Sequence, residues 1–185
     1  MNLAMFTMKL VFPFLPLLPP AVGSTSRYEL VPDRSRTSTS FIKRADAQFT
    51  VVATSETSTQ LEIDYDYVVA SASGSDIQVK EVSVSSFDPA NLDRLRAGEV
   101  FTTSDATIQH AGYEKVKLAG LVYSTDVLKV TNVKSPMSGL TDIVATVYMS
   151  PSVPLLGILR VDAAAKYNGV RLKAGLDWEH WAELD

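Results

Sequence analysis

The stretch that decides the fold class is Leu61-Glu62-Ile63-Asp64-Tyr65-Asp66-Tyr67-Val68-Val69. Its large apolar side chains fall on odd positions and its carboxylates on even ones, the alternation of a strand with one dry and one wet face. Asp64 and Asp66 therefore share the wet face. Two carboxylates so placed suit a general acid/base pair or a cation site, but the water-facing side of a strand needs no further role. The sequence favours the solvated face.

The same alternation spreads in both directions. Phe49, Val51 and Ala53 alternate with Thr50, Val52 and Thr54, while Ile77, Val79, Glu81 and Ser83 face opposite to Lys80, Val82 and Val84. Further runs predict strands near residues 100–109, 115–118, 121–133, 142–149, 156–162 and 170–176. Gly74, Gly112, Gly120, Asn132, Gly139 and Asn168-Gly169 supply turn chemistry between them, and Asn-Gly suits a two-residue hairpin turn. One stretch breaks the pattern. Asp88 caps, Pro89 takes the first helical position and Gly98 follows the end of a short helix whose Leu92 and Leu95 face the sheet. Strands around one helix, without βαβ spacing, predict an all-β or β-rich fold: a curled antiparallel sheet (a half-barrel) over that helix, with a closed barrel as the alternative.

The N-terminus reads as an address. Lys9 precedes an apolar run over residues 10–22, and Ala21-Val22-Gly23 offers a small-residue exit, as in a secretory signal peptide. That run is shorter than the roughly 20 residues a membrane-spanning helix needs, so no span is expected. The expected organisation is a signal peptide over 1–23, a flexible Ser/Thr/Arg-rich arm over 24–44 and one β-rich domain over 45–185. The product is then exported, to a periplasm or the extracellular space.

Composition narrows the chemistry. The chain has 185 residues, no Cys and a formal net charge of -4, which argues against a disulfide scaffold, a catalytic thiol and a nucleic-acid partner. His110 and His180 have no second histidine at metal-ligand spacing, and no phosphate-binding glycine loop or G-x-S-x-G elbow is present. No catalytic residue, metal or cofactor is therefore assigned. Trp178 and Trp181 read as a terminal helical turn against an apolar edge or as the mouth of an apolar cavity. Asp177, Glu179, Glu183 and Asp185 read as a solvated acidic end.

Three stretches carry a family likeness. They are Leu92-Asp93-Arg94-Leu95-Arg96-Ala97-Gly98-Glu99-Val100, then Glu114-Lys115-Val116-Lys117-Leu118-Ala119-Gly120-Leu121-Val122-Tyr123, and then Val147-Tyr148-Met149-Ser150-Pro151-Ser152-Val153-Pro154-Leu155-Leu156-Gly157-Ile158-Leu159-Arg160. Together they resemble exported bacterial proteins and lipoproteins of the LolA-like lipoprotein-carrier class, over residues 92–162. Tyr148 stands where that group often has Trp, Leu121-Val122 replaces its Thr-Phe, and no lipid-bearing Cys follows the leader. The resemblance implies export, a sheet curled over a helix and an apolar concavity. The opening Tyr28-Glu29-Leu30-Val31-Pro32-Asp33-Arg34-Ser35 more loosely resembles lipocalin-like barrels of exported isoprenoid-binding proteins.

The residues themselves assign Gly98, Gly120, Pro151, Pro154 and Gly157 to structure, because proline cannot donate to a ladder and glycine permits a bend. The functional expectation is a non-enzymatic exported domain holding an acyl chain or lipid, lined by Tyr65, Tyr67, Val69, Val147, Tyr148 and Trp178. Its rivals are a structural or envelope-assembly protein with a filled core and, from another class, a hydrolase with an unrecognised Ser-His-Asp set.

Overall fold

The computed structural model describes residues 21–30, 42–69, 72–83, 90–135, 138–153, 155 and 157–178. Its strands are β1 (Thr25–Leu30), β2 (Ile42–Thr54), β3 (Ser58–Val69), β4 (Ala72–Ser83), β5 (Phe101–Thr102), β6 (Thr107–Leu118), β7 (Leu121–Thr131), β8 (Leu140–Met149), β9 (Ile158–Tyr167) and β10 (Val170–Trp178). Among the described residues one helix, α1 (Ala90–Arg96), lies between β4 and β5 in sequence.

All ten strands form one antiparallel sheet in the order β4-β3-β2-β1-β10-β9-β8-β7-β6-β5. Every step along the chain is between neighbours except β4 to β5, which are the two edges. The sheet is an up-and-down meander left open at that step, not a closed barrel. In a flat sheet the edges would stand roughly 43 Å apart. Curling is visible in the core instead. Phe49 and Leu61 near one edge share a single buried cluster with Ile108 and Val130 near the other, and with Leu95 of α1.

Alternation builds that core strand by strand. Ala47, Phe49 and Val51 of β2 stand opposite Tyr65, Ile63 and Leu61 of β3, and the side chains of these three β2 residues, Ile63 and Leu61 are buried. Asp64 and Asp66 are exposed on the other face, as the sequence predicts for a wet side. Leu95 is buried and Leu92 packs beside it, which keeps the helix against the sheet. The helix ends as its Gly98 predicts. Glu99 N–H donates to the Arg94 carbonyl and Gly98 N–H to the Leu95 carbonyl, both at 3.0 Å, a Schellman motif with Gly98 at φ +94°. The capping residues Asp88 and Pro89 lie outside the described residues.

Several local expectations change. Six residues of the expected flexible arm, Thr25–Leu30, form β1 at the middle of the sheet, between β2 and β10. Ser26 and Tyr28 are buried there, so the segment contributes to the core although its composition reads as a linker. Gly74 and Gly112 mark no turns. Gly74 pairs with Tyr67 inside β4, and Gly112 sits at a register shift inside β6, where a glycine suits a bulge. Strand β6 consequently runs through the gap expected between residues 109 and 115. Asn168-Gly169 does close β9 onto β10, with Tyr167 opposite Val170, and both turn residues have positive φ. Trp178 ends strand β10 and is not in a helical turn, because its backbone pairs with Tyr28; Trp181 lies outside the described residues.

Candidate functional site

The inner face of the sheet is one apolar surface with a charged clamp at one end. Its centre is a cross-strand row of Leu128, Val147, Val161 and Leu176, directly opposite one another across β7, β8, β9 and β10. All four are buried. A second row joins Trp178, Tyr28 and Ala47 to the backbone of Tyr65, across β10, β1, β2 and β3. Trp178 meets Tyr123 edge-to-face at 6.3 Å between ring centroids, and Tyr28 meets Phe49 at 5.8 Å.

Two hydroxyls on this surface, those of Tyr28 and Thr59, are buried without a hydrogen-bond partner among the described residues, and Tyr28 is the larger. Burial pushes the Tyr28 pKa up and outweighs the lowering by the neighbouring Ser26 side chain, so the hydroxyl stays protonated and keeps a donor to offer. A buried hydroxyl left unpaired costs about 1–3 kcal/mol.

The clamp joins α1 to the sheet. Arg96 Nε donates to Asp126 Oδ1 at 2.8 Å and Arg96 Nη2 to Asp126 Oδ2 at 2.6 Å, a two-pronged grip on a carboxylate only 5% exposed. His110 Nε2 lies 3.0 Å from the same Oδ1. A neutral His110 must therefore carry its proton on Nε2, since an unprotonated carboxylate only accepts. The His110 ring also packs on Tyr113 at 4.9 Å, and Arg96 Nη1 donates to Asp93 Oδ1 at 2.9 Å. Burial raises the Asp126 carboxyl, but the Arg96 hydrogen bonds and charge, followed by those of His110, outweigh it and hold it below the ordinary range. Both carboxylate oxygens are committed to these bonds. The arrangement fixes the helix on the sheet.

None of the three clamp residues belongs to the ligand-lining set read from the sequence. The available signal was Asp126, a lone acid inside the apolar run around Val127 and Leu128, where Thr125, Asp126, Val127 and Leu128 are buried in succession. A charge in such a run requires a partner. Spacing in the sequence does not say which one.

The lining set itself divides. Val147 and Trp178 lie on the inner face. Tyr65, Tyr67 and Val69 have their backbones in β3, opposite Ala47, Ala45 and Ile42, and their side chains lie outside the described residues. Tyr148 follows Val147 in the strand and faces the other way, opposite Arg160 and Val127. Tyr148 is partly buried and packs against the cluster that holds Val147 and Trp178. On that outer face Arg160 grips Asp177, at 2.9 Å from Nε to Oδ1. Asp177 is thus buried and paired, not a solvated acidic end.

The loop between β8 and β9 bends as its glycine predicts. Ser150 N–H donates to the Gly157 carbonyl at 2.7 Å, with Gly157 at φ +65°, while Pro151 is exposed in a turn. Pro154 lies outside the described residues. Gly120 follows Ala119 in a turn where both have positive φ, closing Leu118 onto Leu121.

Among the described residues no group of three or more His, Cys, Asp or Glu side chains could hold a metal ion, and no helix is long and apolar enough to cross a membrane. Comparison with known proteins adds no relative: no family model, no curated protein and no solved structure matches this chain.

Proposed function

We propose that the chain is an exported, non-enzymatic β domain that takes an apolar ligand, an acyl chain or lipid, against the inner face of its curled sheet. The observation that carries this reading is the unpartnered Tyr28 hydroxyl between Phe49 and Trp178, on a face whose other buried polar side chains include Ser26 and Thr59. A ligand with an apolar body and one polar end relieves that hydroxyl while covering its apolar neighbours. The open step between β4 and β5 gives the inner face an unclosed side, which a barrel lacks.

A filled, purely structural core is the second reading. It is favoured by Leu61, Ile108, Leu159, Val51 and Val130, each fully buried by the protein's own side chains. Titration with a fluorescent fatty acid separates the two, using protein recovered from a secreting host whose N-terminus is read in the same preparation. The carrier reading expects a chain starting at or near Ser24 and saturable binding in the micromolar range, about -8 kcal/mol. It also expects Tyr28→Phe to weaken binding while leaving the unliganded protein as stable or more so, because the orphaned group is gone. Absence of binding at tens of micromolar, with Tyr28→Phe neutral, leaves the structural reading.

A further inference from the structure

The hairpin of β6 and β7 reaches past its neighbours in the sheet. Its strands pair to their ends at Leu118↔Leu121, but β8 joins β7 only between Asp126 and Val130, and β5 joins β6 only at Thr107 and Ile108. Beyond Asp126 the ribbon is two strands wide among the described residues, and such a ribbon needs an anchor in water. Val116 and Tyr123, opposite each other, supply one: both are buried, and Tyr123 packs on Trp178. Past that pair Leu118 still touches the core, while Leu121 and Val122 are 50% and 64% exposed.

Two further features mark this tip. The run Leu118-Ala119-Gly120-Leu121-Val122 carries no polar side chain. Ala119 and Gly120 turn with φ of +48° and +84°, close to the +47° and +82° of Asn168 and Gly169 in the β9–β10 turn. Asparagine suits the first of these positions and alanine does not, since a short polar side chain or glycine enters the left-handed region more easily. The tip thus keeps an apolar residue where a polar one would turn more readily. Behind it Lys117 stands opposite Val122 and Lys115 opposite Ser124, both exposed and in no salt bridge among the described residues. No acid lies between Glu114 and Asp126, in a chain of net charge -4.

The β9–β10 tip, at the opposite end of the sheet, is the contrast. It also exposes apolar side chains, Tyr167 and Val170, but its polar groups are committed: Asn168 N–H donates to the Gly139 carbonyl at 2.9 Å, and Lys166 Nζ lies 2.8 Å from Asp142 Oδ2. The β6–β7 tip, apolar with two unpaired lysines behind it, matches an anionic lipid surface. Apolar side chains at such a surface sit about 5–10 Å deep. At roughly 3.4 Å per residue, Lys117 stands about 7 Å and Lys115 about 13 Å behind the turn, so both ammonium groups reach the headgroups as the tip enters. A second copy docked tip to tip would set lysine against lysine instead.

We propose that the β6–β7 tip is a membrane-docking element: Leu121 and Val122 insert at the surface of an anionic bilayer while Lys115 and Lys117 bind its headgroups. Docking of this kind does not depend on a ligand against the inner face of the sheet.

The chain has no cysteine, so Leu121→Cys carries a single environment-sensitive dye at this tip, and Val170→Cys carries it at the opposite one. Protein from the secreting host is mixed with phosphatidylcholine vesicles containing about 30% phosphatidylglycerol. The dye at Leu121→Cys should brighten and shift to the blue, the dye at Val170→Cys should not, and phosphatidylcholine alone should draw a weaker response. In cosedimentation Lys115→Gln/Lys117→Gln should weaken binding about 25-fold, about fivefold for each lysine. Val122→Asp should weaken it about tenfold. Circular dichroism confirms that each variant keeps its strands. An equal response at both tips, equal binding to both vesicles, or binding that neither Val122→Asp nor the lysine pair weakens overturns the inference. So does a dimer in lipid-free sedimentation that Val122→Asp dissociates, since the tip then belongs to a second copy.

Discussion

Asp126 and Asp177 are both buried carboxylates held by an arginine, and they sit on opposite faces of the sheet's two halves. Asp177 takes its arginine from the next strand: Arg160 stands directly opposite it in the β9–β10 hairpin. Asp126 takes its arginine from α1, thirty residues earlier in the chain, and adds His110 from β6. The first pair is a property of one turn. Asn168-Gly169 fixes Tyr167 opposite Val170, and counting outward along both strands brings Arg160 to Asp177. The second pair exists only after a helix has docked on a curled sheet. Two similar contacts thus report on different levels of structure, local register and tertiary closure.

Removing Asp126 tests the tertiary level and carries the larger effect. Asp126→Ala leaves the Arg96 guanidinium and His110 facing an emptied site. Arg96 is 36% exposed and recovers part of its hydration, so the cost is about 2–4 kcal/mol in urea denaturation, below that of a fully enclosed pair. The distinguishing measurement is hydrogen exchange. Amides at the end of α1, Ala97 and Gly98 among them, should lose protection well before those of β9 and β10. If helix and hairpin lose protection together, Asp126 supports the whole sheet and the distinction between the two levels fails.

Arg160→Ala is the matching test of register, with a smaller effect. The Arg160 side chain is 21% exposed and Asp177 8% exposed, and the strands keep their backbone ladder and the apolar row through Val161 and Leu176. A loss of about 1–2 kcal/mol is expected, with exchange quickened in β9 and β10 and unchanged in α1. A cost equal to that of Asp126→Ala would make the hairpin pair as much a tertiary device as the helix clamp.

The same division explains how much of the molecule is legible in its sequence. Period-two alternation at Phe49, Val51, Leu61 and Ile63 shows which side chains enter the core, because burial in a strand follows parity. Gly98 and Asn168-Gly169 show where a helix stops and a hairpin turns, because both need positive φ. Neither signal is long-range. Ser26 and Tyr28 read as part of a loose arm, since six residues too short for a clear period become a central strand only when β2 and β10 flank them. Asp177 reads as solvated for the related reason that its face is set by pairing with Arg160. The candidate site is less legible still. Its clamp and its orphaned hydroxyl arise from residues that meet through the closure of the sheet.

The smallest effect is the pH dependence, and it belongs to the clamp. The Asp126 carboxyl is raised by burial, but Arg96 and His110 together bring it below its ordinary range. A carboxyl whose pKa is lower folded than unfolded adds stability that is fully present above the unfolded value, about 3.9, and is lost as pH falls through the folded one. Stability should therefore not decline on this group's account between pH 7 and about 4, and should fall below that. Asp126→Asn removes the titration while keeping the side chain's shape, so its stability falls less steeply on the acid side than that of the parent. Glu99, lowered by its hydrogen bonds to Arg94 at the exposed end of α1, supplies part of the slope that remains. Urea midpoints across pH 2.5 to 7 measure both limbs. Identical acid slopes in the parent and in Asp126→Asn would show that Asp126 titrates alike folded and unfolded, and that the Arg96 grip closes the helix by geometry alone.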